Sequence, residues 1–345
     1  MSSEDRKPYL EKAGQLFQAG DDQKAQELLS SYLEQYPDDP RALYGLSLSL
    51  MRQGKWEEGW NLHEARLQNP EMHRLLQLTP QKLPRWKGES LQGRCLLIQC
   101  EQGLGDTIQF LGYLQKLPVH DRIAVQCHPL LISLLKESLP QVRFFSPGEQ
   151  VSADFRIEAM SLPHVLGIFS PVAIQPWIKV PSVYQEKWAP FMSKLPGPLI
   201  GLCWRGNPQQ HDDNQRSVCL RDFLPLLQNQ SRRGVSLQIN TTPDEEETMM
   251  KNGIIPMGSG LVEFADTAAA ISHMNMVVSV DTSVMHLSSA MGKPTHLILP
   301  RIASWRWGLV ADRTPWYPLC KLWRPALDET FSDLSRRIEK TIFLK

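Results

Sequence analysis

Two series of short apolar runs, each run followed by a turn and a helical pattern, constrain this chain more than any other feature. In the first, RCLLIQC (94–100) leads through GLGD (103–106) into the apolar-periodic TIQFLGYLQKL. RIAVQC, a helix near 129–137 and VRFF follow. The second runs PLIGLCW (198–204), a helix at 220–229, VSLQI (235–239), the acidic helix TPDEEETMMK, DTAAAISHM, MVVSV (276–280), VMHLSSAMG and THLILP. Short runs that are apolar throughout suit strands covered on both faces, and strands alternating with helices imply a parallel sheet.

A Pro-rich interval from Pro171 to Pro198, holding the amphipathic VYQEKWAPFMSKL, separates the two series. The expected body is therefore α/β, with two Rossmann-like lobes and a ligand cleft between them at the carboxyl ends of the strands. Ahead of it stands a repeat. Gly20 and Gly54, Ala25 and Gly59, and Leu28 and Leu62 are each 34 residues apart. AGQLFQAGDDQKAQELLSSYLEQYP and LSLSLMRQGKWEEGWNLHEARLQNP then read as helix-turn-helix units closed by Pro37 and Pro70, and resemble tetratricopeptide repeats. Two units are fewer than such a stack usually needs, so one apolar face is expected to rest on the following domain; the competing reading is a groove for a partner or acceptor.

The expected boundaries are a helical module over 1–71, a linker over 72–92 (Pro80, Pro84, Gly88) and an N-terminal lobe over 93–170. An interlobe linker over 171–197, a C-terminal lobe over 198–325 and a final helix over 326–345 complete the chain. Lys plus Arg equals Asp plus Glu at 37 each, so no overall field draws the chain to nucleic acid or anionic lipid. With no leader-like start and no run approaching a membrane span, a cytoplasmic location without a transmembrane segment is expected. The six scattered cysteines form no CxxC pair and suit reduced thiols.

Three segments carry chemistry. EQGLGDTIQF (101–110) follows a strand and opens a helix; Gly103 and Gly105 leave room for a ligand, flanked by Gln102 and Gln109. Asp106 lies at the helix start, where it either caps the helix or serves a ligand. The segment lacks the third glycine of GxGxxG, and QCHP rather than an acid ends the next strand, which disfavours hydride transfer. In SVDTSVMHLSSAMGKP (279–294), Asp281 ends a strand, and Thr282 and Ser283 begin a helix whose free N–H groups suit a diphosphate. His286 is on its first turn, as a packed or capping histidine or as a ligand contact. GLCWRGNPQQHDDNQRS (201–217) supplies Arg205, Asn207, His211 and Arg216 in a polar loop, and guanidinium groups pair with phosphate oxygens. The aromatic residues of WRWGLVADRTPWYP (305–318) are expected to pack rather than to stack on a ligand.

With GKWEEGWNLHEAR, FADTAAAI, WRWGL and DRTPWYP added, these segments resemble, across essentially the whole chain, a bacterial family of tetratricopeptide-repeat glycosyltransferase-like proteins. That family is related to the lipopolysaccharide heptosyltransferases and, more distantly, to the O-GlcNAc transferases. The resemblance implies a GT-B fold, with the acceptor in the first lobe, the sugar nucleotide in the second and a C-terminal helix that crosses back to the first lobe. By the same likeness Asp106 matches a general base, Arg205 a phosphate-binding position, and Asp281 to His286 the donor-binding turn. The histidine common two places after the Pro of GNP is here Gln210, so no role passes to His211; the repeat also ends HEAR rather than in a more aromatic sequence.

The expected activity is inverting, metal-independent sugar transfer from a nucleoside diphosphate to a hydroxyl of a glycan, lipid-linked or protein acceptor. Asp106 takes the proton, while the helix start and Arg205 meet the departing diphosphate. No cofactor is expected beyond the sugar nucleotide as co-substrate, and the repeats offer a site for a protein partner. The alternative is a non-catalytic scaffold that keeps the two-lobed fold, and an epimerase of similar fold is a third option.

Overall fold

The computed structural model describes residues 3–70, 72, 82–117, 122–207, 213–228 and 231–343. Four helices open it: α1 (Ser3–Ala19), α2 (Asp22–Gln35), α3 (Pro40–Arg52) and α4 (Trp56–His63). Gly20 and Gly54 (φ 79° and 82°) turn one helix into the next within each pair, in a region that side chains disfavour. Asp21 and Asp39 cap α2 and α3 by accepting from Lys24 N and Arg41 N. Gly59 lets α4 lie against α3, since a Cβ there would come within 2.4 Å of Met51 Cγ.

Two parallel sheets follow. The first, in the order β3-β2-β1-β4, is built from β1 (Cys95–Gln99), β2 (Arg122–Gln126), β3 (Arg143–Phe145) and β4 (Phe155–Glu158). The second contains β5 (Leu199–Cys203), β6 (Arg233–Ser236), β7 (Ile255–Pro256), β8 (Met276–Val280), β9 (Thr295–Ile298) and β10 (Cys320–Trp323). Its order is β10-β9-β8-β5-β6-β7. β1 and β5 are buried at every residue, as their unbroken apolar runs require. Strand order reverses between β1 and β4 and between β5 and β8, which opens a crevice at the carboxyl end of each pair.

The helices around the sheets include α5 (Leu104–Leu111), α6 (Pro129–Ser138), α7 (Ser182–Met192), α8 (Leu220–Phe223), α9 (Pro243–Lys251), α10 (Phe264–Ser272), α11 (Ser283–Ala290) and α12 (Phe331–Phe343). The lobes meet where α5 packs on α11, and where α6 and α7 pack on α10. The Pro-rich crossing is stitched to the second lobe by Ile174 N to Trp316 O and Trp177 N to Ala290 O, both 3.0 Å. All six cysteines are free thiols.

Some expectations differ from the structure. The helix expected at 220–229 keeps one α-turn and tightens to a 3₁₀ turn over Leu224–Leu227, because Pro225 has no N–H to offer. The C-terminal helix does not cross to the first lobe. Leu334 and Ile338 of α12 bury against Leu220, Phe223 and Leu226, and Arg232 pairs with Glu339, so its apolar stripe is satisfied on the second lobe.

The helical module rests on both lobes. Trp60, fully buried, donates to Phe169 O at 3.0 Å and meets Phe110 of the first lobe and Trp305 of the second edge-on, at 5.9 and 5.5 Å. Trp56 meets Trp316 at 5.8 Å. Below this aromatic layer, fully buried Arg66 forks onto Glu101 just beyond β1, with bonds of 2.6 and 3.1 Å. Glu64, Arg85, Arg156, Glu158 and Ser161 extend the pair into a network joining module, first lobe and the segment before β1.

Candidate functional site

The site grows from two strand-turn-helix connections that the lobe contact presses together. After β1 the chain passes Glu101, takes a left-handed step at Gln102 (φ 62°) and begins α5 at Gly103. Asp106 accepts from Gly103 N at 2.9 Å, so the capping role is real. Gly105 needs to be glycine for packing: a Cβ would come within 2.7 Å of His286 Cδ2 on α11. The helix starts of both lobes are therefore in van der Waals contact.

Across that contact, Thr282 begins α11 but its hydroxyl turns to Ser279 Oγ (3.1 Å) and Cys203 Sγ (3.6 Å) rather than to the first amides. The positive end of the helix is thus not consumed by its own N-cap side chain. Asp281 Oδ2 accepts from Trp307 Nε1 at 2.7 Å, and Asp281 O accepts from Arg216 Nη1 at 3.0 Å. Burial pushes the Asp281 carboxyl above its ordinary range, against the pull of the Trp307 N–H and the Arg306 and Arg216 charges. Burial, aided by those two arginines, holds His286 well below the usual imidazole range. The neutral ring bonds Tyr317 OH at 2.9 Å.

One residue ties the halves together, and sequence reasoning missed it. Arg306 lies on the turn Trp305–Trp307. Its Nη2 pairs with Asp106 Oδ1, its Nε donates to Gln109 Oε1 at 2.9 Å, and its guanidinium lies 4.4 Å from the Trp305 ring centre. The available signal was an arginine between two tryptophans in WRW, since a cation in so apolar a setting needs a partner. Gln109 is fully buried, and its Nε2, like that of Gln102, has no hydrogen-bond partner.

The loop after β5 divides. Arg216 reaches the α11 start and is braced by Asp213 at 3.1 Å, both lying over Gly206. Arg205 instead forks onto Glu245 of α9 at 3.0 and 2.6 Å and donates to Asn240 O at 2.7 Å. Fully buried Trp204 donates to the same Glu245 at 2.6 Å, which accounts for Trp-Arg at the end of an apolar strand. Asn207 is exposed, Ser283 half-buried, and Gln210 and His211 lie outside the described residues. The structure thus gathers Gly103, Gly105, Asp106, Gln109, Asp281, Thr282, His286 and Arg216 around the lobe contact, while the Arg205 guanidinium is engaged elsewhere. Trp305, Trp307, Trp316 and Tyr317 are buried, as expected for packing. Among the described residues no three His, Cys, Asp or Glu side chains are grouped to hold a metal ion, and no helix is long and apolar enough to cross a membrane.

Comparison with known proteins matches two segments of the chain to families and its fold to solved structures. The tetratricopeptide repeat family matches residues 6–49, and glycosyltransferase family 9 (heptosyltransferase) matches residues 257–298, which hold α10, β8 and α11. Protein FlbA of Caulobacter vibrioides is 23% identical over 302 residues, 78% of this chain; the chain spans about half the length of that relative, 49%. The crystal structure of a glycosyl transferase family 9 protein from Veillonella parvula covers 69% of this chain and 88% of its own at TM-score 0.53 and 13% identity. ADP-heptose lipopolysaccharide heptosyltransferase II of E. coli covers 70% and 97% at TM-score 0.49 and 12% identity. Segments of the chain thus match the tetratricopeptide repeat and glycosyltransferase family 9 (heptosyltransferase) models, and its fold is similar to that of a solved glycosyl transferase family 9 protein.

Proposed function

We propose that this protein is a glycosyltransferase of hexosyl or heptosyl type, moving a sugar from a nucleoside diphosphate to an acceptor hydroxyl with inversion and without a metal. The observation that carries this reading is the contact of Gly105 with His286, which brings the first turn of α5, holding Asp106 and its partner Arg306, against the first turn of α11. Asp106 takes the acceptor O–H proton as the new O–C bond forms at the anomeric carbon. The bond from that carbon to the diphosphate oxygen breaks, and the nucleotide leaves with the electron pair. Arg216, Arg306 and the α11 amides answer the charge that grows on the leaving group. The acceptor is a glycan, a lipid-linked sugar or a protein hydroxyl.

A screen of sugar nucleotides for donor consumption, run with and without EDTA, tests the class. Asp106→Ala should lower turnover by about a thousandfold, within the range of a general base, while nucleotide binding persists. Undiminished turnover removes Asp106 from the mechanism. One observation favours a non-catalytic scaffold instead: Asp106 is engaged by both Gly103 N and Arg306. Donor consumption by none of the sugar nucleotides would support that reading.

A further inference from the structure

We propose that Arg306 is a donor-operated latch, holding the Asp106 carboxylate while the diphosphate site is empty and releasing it when a diphosphate takes the guanidinium. The inference rests on the transfer reading above and goes beyond it, by assigning a residue outside both strand-turn-helix motifs and an order of events.

Three observations support it. Arg306 pairs with Asp106, yet its charge also acts on Asp281 and His286 at the α11 start, so the guanidinium stands within electrostatic reach of both half-sites. A second anchor keeps the side chain in place when the pair opens: it lies 4.4 Å from the Trp305 ring centre, and Nε donates to Gln109 Oε1 at 2.9 Å. Finally, buried Gln109 Nε2 has no partner, so the neighbourhood holds an N–H donor that the protein itself leaves unsatisfied.

The chemistry gives the latch a direction. With Oδ1 held by the guanidinium and Oδ2 by Gly103 N, both oxygens of the Asp106 carboxylate are engaged and neither is open to an acceptor hydroxyl. A diphosphate presents more charge and more oxygens in the two-point geometry that a guanidinium prefers. Donor binding would thus turn the Nη end of Arg306 to the diphosphate, about its anchor on Gln109, and leave Asp106 with only its bond to Gly103 N. An acceptor arriving first meets a carboxylate whose oxygens are both occupied, so donor precedes acceptor.

The test is calorimetric titration of the full-length protein with inorganic pyrophosphate, and in parallel with ADP, GDP and UDP. Asp106→Asn removes the competitor for Arg306 and should tighten pyrophosphate binding by about tenfold, the scale of a charge-assisted hydrogen bond. Arg306→Gln should weaken it by at least as much, and Asp106→Asn added to Arg306→Gln should bring no further gain. Equal affinity in wild type and Asp106→Asn overturns the latch. So does an equal tightening by Asp106→Asn in the Arg306→Gln background, which would mean only that a nearby negative charge was removed. If Arg306→Gln does not fold, Arg306→Lys provides the second background, in which the gain should shrink; an undiminished gain overturns the latch. Binding without this coupling sinks the latch alone, whereas wild type binding neither pyrophosphate nor any of the three nucleotides sinks the transfer reading with it.

Discussion

Replacing Arg66 by Met should destabilise the protein strongly, and the loss should depend on pH. The guanidinium is fully buried and holds both Glu101 oxygens, His63 O, Glu64 and Ser161 Oγ. Once it is removed, Glu101 keeps only the bond from Met160 N at 3.1 Å. Breaking one side of a buried ion pair costs about 3–5 kcal/mol, and the number of bonds lost puts this case near the middle of that range. Burial already lifts the Glu101 carboxyl above its ordinary 4.5 despite Arg66, and without the arginine it rises further. A carboxylate raised in the folded state binds more protons folded than unfolded, so its penalty is absent below about 4.5 and grows as pH rises through the folded value. Arg66→Met should therefore be least impaired at pH 5 and most impaired above neutrality. Adding Glu101→Gln removes the stranded charge and should return all but about 1–2 kcal/mol. Urea unfolding followed by tryptophan fluorescence at both pH values measures all of this. A loss below about 1 kcal/mol for Arg66→Met, or a double variant no better than the single, would refute the reasoning.

Gly105→Ala should cost about 1–3 kcal/mol, the range for forcing atoms into a packed contact, because its Cβ would meet His286 at 2.7 Å; an unchanged urea midpoint would show that the helix starts have slack. Glu245 is drawn down to about 2, burial being outweighed by the bonds from Arg205, Thr242 N and Trp204. Its stabilising contribution is thus complete above about 4.5 and lost as pH falls toward 2. Glu245→Gln should flatten that part of the acid-unfolding profile, and an unaltered profile would deny the Arg205 fork its stabilising role.

Legibility followed the physics of each segment. β1 and β8 could be read because strands covered on both faces have to be apolar throughout, whereas β4, written FRIE, could not. Its charges are satisfied by Arg85 and by each other, partners that no local pattern discloses. Asp106 and the 281–286 turn could be found because backbone turning and helix capping leave local signatures. Arg306 could not, since it meets Asp106 from 200 residues away and its tryptophan neighbours signal packing. Arg205 carried the strongest local hint of an anion site, yet it is held by Glu245, a residue that its own loop does not contain.

The contact of Trp56 and Trp60 with both lobes has a mechanical consequence. Many two-lobed proteins breathe about a flexible crossing, but here the crossing is backed by a brace whose indoles grip both sides at once. Swinging one lobe away from the other would prise Trp60 from Phe110 or from Trp305. Rearrangement is thus channelled into individual side chains at the seam, and on heating the brace and both sheets should come apart together in one cooperative step.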